Sequence, residues 1–160
     1  MDFGIANFLE CVGASWQESS FIRFGDDGRV RLVVCTQSHG QGHETSLPQV
    51  VSDRLGVPYE VIDLHQGDSY DLPKLGFATV GSRSAIMAGS ALANTCQLII
   101  EKGRKAASQI LEAAEADIEF ERGTFRVAGT DRTIDLLDLA RQARLEANQF
   151  EGGTLDSEGE

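Results

Sequence analysis

The chain is short of positive charge. Fourteen lysines and arginines stand against 25 aspartates and glutamates, a formal net charge of −11. That balance excludes a nucleic-acid binder, whose phosphate contacts come from Lys and Arg. Cysteine is scarce as well. Cys11, Cys35 and Cys96 are odd in number and include no CxxC pair, which excludes a disulfide framework and points to a reducing compartment. Cys35 closes an apolar run and Cys96 lies in a helical pattern, so both read as small buried hydrophobes. No export signal follows Met1-Asp2-Phe3, so the expected location is cytoplasmic. The longest uncharged stretch, 85–100, holds Ser90, Asn94, Thr95 and Gln97 and is shorter than the roughly 18–20 apolar residues of a membrane span. It is expected to be a soluble helix, with no membrane span.

What is present is an ordinary globular composition. The 160 residues are 41% hydrophobic and 24% charged, enough for one domain with a core. Residues 4–9 and 20–24 read as short strands. The second runs through the turn Gly25-Asp26-Asp27-Gly28 into the strand VRLVVC at 30–35, a hairpin pattern. Leu47, Val50, Val51 and Leu55 then fall on one helical face, with Pro48 in or near the first turn and Gly56 and Pro58 at the end. A strand is expected over 60–65. A long helix follows, its buried stripe expected through Ile86, Gly89, Ala93, Cys96, Ile100, Gly103, Ala107, Ile110 and Ala114, with the two glycines marking close approach of another backbone. Residues 118–121 and 124–127 flank Arg122-Gly123 as a small hairpin, and Asp135 with Asp138 opens a last helix. The fold class is therefore α+β (mixed α/β): a sheet of four or more strands with helices packed mainly on one face, in the order strands, helix, strand, long helix, hairpin, helix. Residues 3–150 are expected to form the domain. Residues 151–160, with four acids and no base, are expected to be an acidic polar tail or truncated linker.

Two places share a design. Gly40-Gln41-Gly42-His43 and Gly81-Ser82-Arg83-Ser84 are both glycine corners opening into a helix N-terminus. Glycine lets the backbone bend with its N–H groups outward, and the helix dipole adds positive character there. Such ends suit phosphate or another anion. Arg83 would add a bidentate cation, and Ser82 and Ser84 hydroxyl donors. Two corners in one small domain would hold the two ends of a diphosphate ligand, or serve only as turns with caps. Neither matches a Walker loop or GxGxxG. His39, His43 and Glu44 suggest a zinc hydrolase, but Gly40 and Gly42 interrupt the helix that such a motif needs, and His65 offers no third ligand by spacing. No metal ligand and no catalytic residue is assigned.

The segment Thr36-Gln37-Ser38-His39-Gly40-Gln41-Gly42-His43-Glu44-Thr45 resembles the glycine-glutamine loop of the molybdopterin-binding large subunits of the xanthine dehydrogenase and aldehyde oxidase superfamily. Its His-Glu-Thr ending is most similar to the aerobic carbon monoxide dehydrogenase branch. Thr79-Val80-Gly81-Ser82-Arg83-Ser84 resembles that branch's second cofactor loop, which usually carries an aromatic where Val80 stands. The resemblance covers about residues 4–160, including Arg54-Leu55-Gly56-Val57-Pro58, Gln66-Gly67-Asp68 and Gly129-Thr130-Asp131-Arg132.

The resemblance implies a piece of a molybdenum hydroxylase, which oxidises a carbon centre with water as the oxygen source. The cofactor would be molybdopterin with molybdenum, in the cytosine dinucleotide form. Gly40, Gln41, Gly42 and His43 would contact the molybdopterin end, and Gly81, Ser82, Arg83 and Ser84 the dinucleotide or pterin. Implied partners are the remainder of the large subunit and iron–sulfur and FAD subunits or domains. The family's catalytic glutamate and the cysteine-bearing loop of true carbon monoxide dehydrogenases have no counterpart here, so this chain alone is not expected to catalyse, and Glu44 is not the missing base. The alternatives are a stand-alone module for an anionic cofactor and a structural domain without a ligand.

Overall fold

Alternation of apolar and polar residues sets the first strands. A computed structural model describes residues 3–9, 11–13, 16–71, 73, 75–146, 150 and 153–160. In it β1 (Ser20–Phe24) buries Ser20, Ile22 and Phe24 and turns Arg23 out, the period of a half-buried strand. β2 (Val30–Val34) pairs with it antiparallel, Phe24 opposite Val30. The turn between them is the expected one: the Gly25 N–H donates to the Arg29 carbonyl at 2.7 Å, and Asp27 Oδ1 accepts from the Arg29 N–H at 3.1 Å.

α1 (His43–Leu55) buries Leu47, Val51 and Leu55, the face expected from their spacing. It carries the chain back to β3 (Ile62–His65), which lies parallel to β2. Pro48 sits deeper than the first turn, where its missing N–H deprives the Glu44 carbonyl of a helical donor. The Tyr59 hydroxyl donates to that carbonyl at 3.3 Å.

α2 (Ser84–Ile110) is the long helix, and its buried face is rotated from the expected stripe over the first half. Ala88, Ala91, Leu92, Thr95 and Ile99 are buried there, while Ile86 is 48% exposed. The cause is steric: β7 comes close to α2 at Thr95, where a Cβ on Gly159 would lie 2.7 Å from Thr95 Oγ1. Gly89 has nothing within 4 Å of the Cβ it lacks, whereas Gly103 leaves room for a side chain, the Phe125 ring.

Beyond α2 come β4 (Ile118–Glu121), β5 (Thr124–Val127) and β6 (Thr133–Asp135), an antiparallel three-stranded sheet in that order. The Arg122-Gly123 turn has positive φ at both residues, 46° and 82°, the twist that suits a two-residue hairpin. It abuts the end of α1: a Cβ on Gly56 would lie 2.2 Å from the Arg122 carbonyl carbon. α3 (Leu136–Leu145) is capped by Asp135, which accepts from the Leu137 N–H at 2.8 Å. β7 (Ser157–Gly159) then joins the free side of β1, completing the sheet order β3-β2-β1-β7.

Two expectations are corrected. Residues 4–9 form no strand; Phe3, Ile5, Phe8 and Leu9 are each at least 84% exposed, because β1 already has β2 and β7 on its two sides. The acidic end is no solvated tail where the structure describes it; residues 151 and 152 lie outside the described residues. Leu155 and Ser157 are buried. Asp156 accepts from the Phe24 N–H at 3.0 Å and from Arg144 at 2.9 Å, and Lys102 donates to its carbonyl at 2.6 Å. Asp156 is tied in by these partners, which composition does not show. Among the described residues, no helix is long and apolar enough to cross a membrane.

Candidate functional site

Both glycine corners lie where chain leaves a strand or enters a helix, and the fold brings them together. The first follows β2, at the carboxyl end of the parallel β2–β3 pair, a common place for ligand clefts in such sheets. Gly40 (φ 99°) and Gly42 (φ 80°) take left-handed conformations open to them, and Gly42 caps α1 without any side-chain bond. Gln41 folds over its own loop: its Nε2 donates to the Gln37 carbonyl at 3.2 Å and its Oε1 accepts from the His39 N–H. His39 is exposed in this loop, while His43 opens α1 and is buried, with no protein partner for Nδ1.

Glu44 occupies the first turn of α1. Its carboxyl is held below the usual range, first by its own backbone N–H, then by the Ser38 hydroxyl at 2.8 Å and, more weakly, by the Gln66 amide at 3.2 Å; the His43 ring lowers it too. These contacts favour the ionised form, so Glu44 is a poor proton acceptor, and its charge already answers the dipole of α1.

The second corner differs on that point. Gly81 (φ 56°) and Ser82 (φ 52°) turn into α2, whose first turn has no acidic residue and whose start has no side-chain cap. The N–H groups of Ser84, Ala85 and Ile86 have, by position, no intrahelical acceptor.

Hydroxyls bridge the corners. Thr36 Oγ1 lies 2.8 Å from Thr79 Oγ1 and 2.7 Å from Ser84 Oγ. Thr79 Oγ1 also accepts from the Gln37 N–H at 2.8 Å and donates to the Gln37 carbonyl at 2.6 Å. Between the corners is a cleft of about 550 Å³, with Gln41, His43 and Ser46 on one wall and Gly81, Ser82 and Ala85 on the other. Gly40 and Gly42 shape their loop and do not line the cleft.

Arg83 is among the residues lining the cleft, but its side chain is 0% exposed and turned away from the expected fork: Nη1 donates to Glu18 Oε2 at 2.6 Å. The Ser84 hydroxyl is engaged with Thr36, which leaves Ser82 as the exposed hydroxyl of this corner. Reading the motifs alone gave no sign that Arg83 pairs with Glu18 and assigned no part to the Thr36 and Thr79 hydroxyls. The two threonines had a usable signal, a hydroxyl residue flanking each corner. Glu18 had none, being far from either motif in sequence.

Comparison with known proteins gives the family and the fold. The family model described as a molybdopterin cofactor-binding domain matches residues 3–160. The carbon monoxide dehydrogenase large chain of Hydrogenophaga pseudoflava is 36% identical over 155 residues, covering 89% of this chain and 19% of that protein. The 6-hydroxypseudooxynicotine dehydrogenase complex subunit gamma of Paenarthrobacter nicotinovorans is 34% identical over 137 residues, covering 86% of this chain and 17% of that one. Among solved structures, a Cu,Mo-CO dehydrogenase in its carbon monoxide reduced state superposes with a TM-score of 0.83 at 32% identity, over 92% of this chain and 18% of that one. The quinoline 2-oxidoreductase of Pseudomonas putida 86 gives 0.74 at 29% identity, over 91% and 19%. The chain thus spans about a fifth of the length of the curated relatives it matches. With the family model covering nearly every residue and the fold shared with such enzymes, the chain belongs to the molybdopterin cofactor-binding domain family.

Proposed function

We propose that this chain is the cofactor-binding part of a cytoplasmic molybdenum hydroxylase large subunit and holds molybdopterin, in its cytosine dinucleotide form, between the two corners. The observation that carries this reading is the single cleft of about 550 Å³ that both corners line, since a dinucleotide cofactor is long and anionic. The donor set fits such a group. The N-terminus of α2 offers backbone N–H groups with no carboxylate beside them, whereas Glu44 occupies the corresponding end of α1. The diphosphate therefore belongs at Gly81, Ser82 and Ser84, and the pterin end at Gln41 and His43, with Gly40 and Gly42 shaping their loop. When bound, the cofactor supplies the two-electron oxidation of a carbon centre, with water as oxygen source. The chain's own residues bind and orient it. The active unit would include the remainder of the large subunit and iron–sulfur and FAD subunits or domains, as the resemblance of the two loops implies.

The test is a titration of cytidine diphosphate against the wild type and Ala85→Asp. Ala85 is exposed on the cleft wall in the first turn of α2. An aspartate there stabilises the helix by about 0.3–1 kcal/mol while repelling a phosphate. The expected result is unchanged or raised thermal stability together with at least tenfold weaker binding. Equal affinity in both proteins, or none in either, would leave the corners as structural turns.

A further inference from the structure

We propose that the Arg83 side chain serves the cleft without touching what binds there: paired with Glu18 in the interior, it is a positioning group that sets the Gly81-Ser82 corner. The inference rests on the reading that the cleft binds an anion.

The guanidinium joins three stretches of chain. Nη1 donates to Glu18 Oε2 at 2.6 Å and to the Ala78 carbonyl at 3.3 Å; Nη2 donates to the carbonyls of Trp16 at 3.2 Å and Gln17 at 3.3 Å. The same Glu18 oxygen accepts from the Phe77 N–H at 3.3 Å. Phe77 packs at a tilt against Trp16, ring centroids 4.3 Å apart, and its centroid lies 5.9 Å from the guanidinium carbon. Residues 16–18, 77–78 and the start of α2 are thereby tied at one point.

That point lies beside a strained turn. Ser82 has a φ of 52°, which a non-glycine residue holds only when its surroundings over-determine it. The Gly13 N–H donates to the Gly81 carbonyl at 3.3 Å and the Arg83 N–H to the Val80 carbonyl at 3.2 Å, and the four side-chain donor contacts of Arg83 fix the residue that follows Ser82. Lysine would not replace it, because one ammonium cannot reproduce a planar fork. Stability alone is a weak account of the pair. Arg83 Nε and Glu18 Oε1 have no protein partner, and buried pairs with unfilled capacity are often no better than apolar packing. The pair is also neutral overall, so it adds no net charge beneath the cleft. Affinity then comes from the backbone N–H groups that the pair aims.

The experiment uses the 160-residue chain and inorganic pyrophosphate as probe, with Arg83→Lys, Arg83→Gln, Glu18→Gln and the Glu18→Gln/Arg83→Gln double variant. Backbone amide resonances of Gly81 and Ser82 are recorded without ligand, and affinity is measured over a range of salt. Both arginine variants and Glu18→Gln should move those two resonances while leaving the β4–β5 hairpin resonances in place. Each should weaken pyrophosphate binding about tenfold, with losses in the double variant well short of additive. The salt dependence of binding should match the wild type, since no charge in contact with the ligand is lost. The proposal is overturned if Arg83→Gln flattens the salt dependence while Glu18→Gln binds normally, or if the Gly81 and Ser82 resonances stay put in every variant. If the wild type fails to bind pyrophosphate, the anion-site reading fails for this chain, and the resonances still decide the positioning role. Should Arg83→Gln not fold, Arg83→Lys and Glu18→Gln carry the same comparison.

Discussion

Cys96 places a pH limit on the fold. It is 1% exposed on α2, and burial pushes its thiol from 9.0 up to about 12. Above pH 9 the unfolded chain sheds this proton while the folded chain keeps it, so the folded state binds more protons and stability falls as pH rises towards 12. The slope is about 1.4 kcal/mol per pH unit. Cys96→Ala should flatten that decline in thermal melts taken above pH 9. Lys102, whose ammonium is disfavoured by burial, contributes the opposite slope just below its ordinary 10.5, and the variant leaves that in place. A second residue-scale outcome concerns Gly56. With a φ of 64° and no space for a Cβ beside Arg122, Gly56→Ala should cost about 2–4 kcal/mol, read as a lower denaturant midpoint. Cys96 as a buried thiol and Gly56 as a helix stop were both legible in the sequence. The contact of Gly56 with the hairpin turn was not, because it joins residues far apart in the chain. The pairing of Arg83 was hidden for the same reason: its motif suggested a ligand contact, and its partner Glu18 lies in another segment.

Between elements, the bridge from β2 to α2 rests on Thr36. Replacing Thr36 by valine keeps the shape and removes the oxygen that Thr79 and Ser84 share. The expected cost is about 1–2 kcal/mol, together with weaker binding of cytidine diphosphate as the two corners lose their common tie. Thermal denaturation and titration of Thr36→Val check both. Elements with strong local signals were readable: the β1–β2 turn, the Asp135 cap and the Arg122-Gly123 hairpin each follow from residues close in sequence. The face of α2 was not, since its apolar residues circle much of the helix. What fixes the buried side is the approach of β7, where a Cβ on Gly159 would lie 2.8 Å from the Thr95 backbone nitrogen. Nor was β7 itself readable, a three-residue strand with one charged side chain and hardly any apolar pattern.

For the molecule as a whole, two tendencies oppose each other. Phe3, Ile5, Phe8 and Leu9 are nearly fully exposed, and apolar surface of that kind favours association. The net charge of −11 resists it. Salt screens only the second, so sedimentation should show larger species as ionic strength rises. A monomer at every salt concentration would show that these side chains find cover within one chain in solution. The placement of β7 carries a different consequence, for the order in which the protein is made. Ser20 pairs with Val34 on one side and with Gly159 on the other. A nascent chain can close the first pairing early, but the second waits until β7, far along the chain, has also left the ribosome. Until then one edge of β1 stays open to any passing strand, and the three residues of β7 seal it.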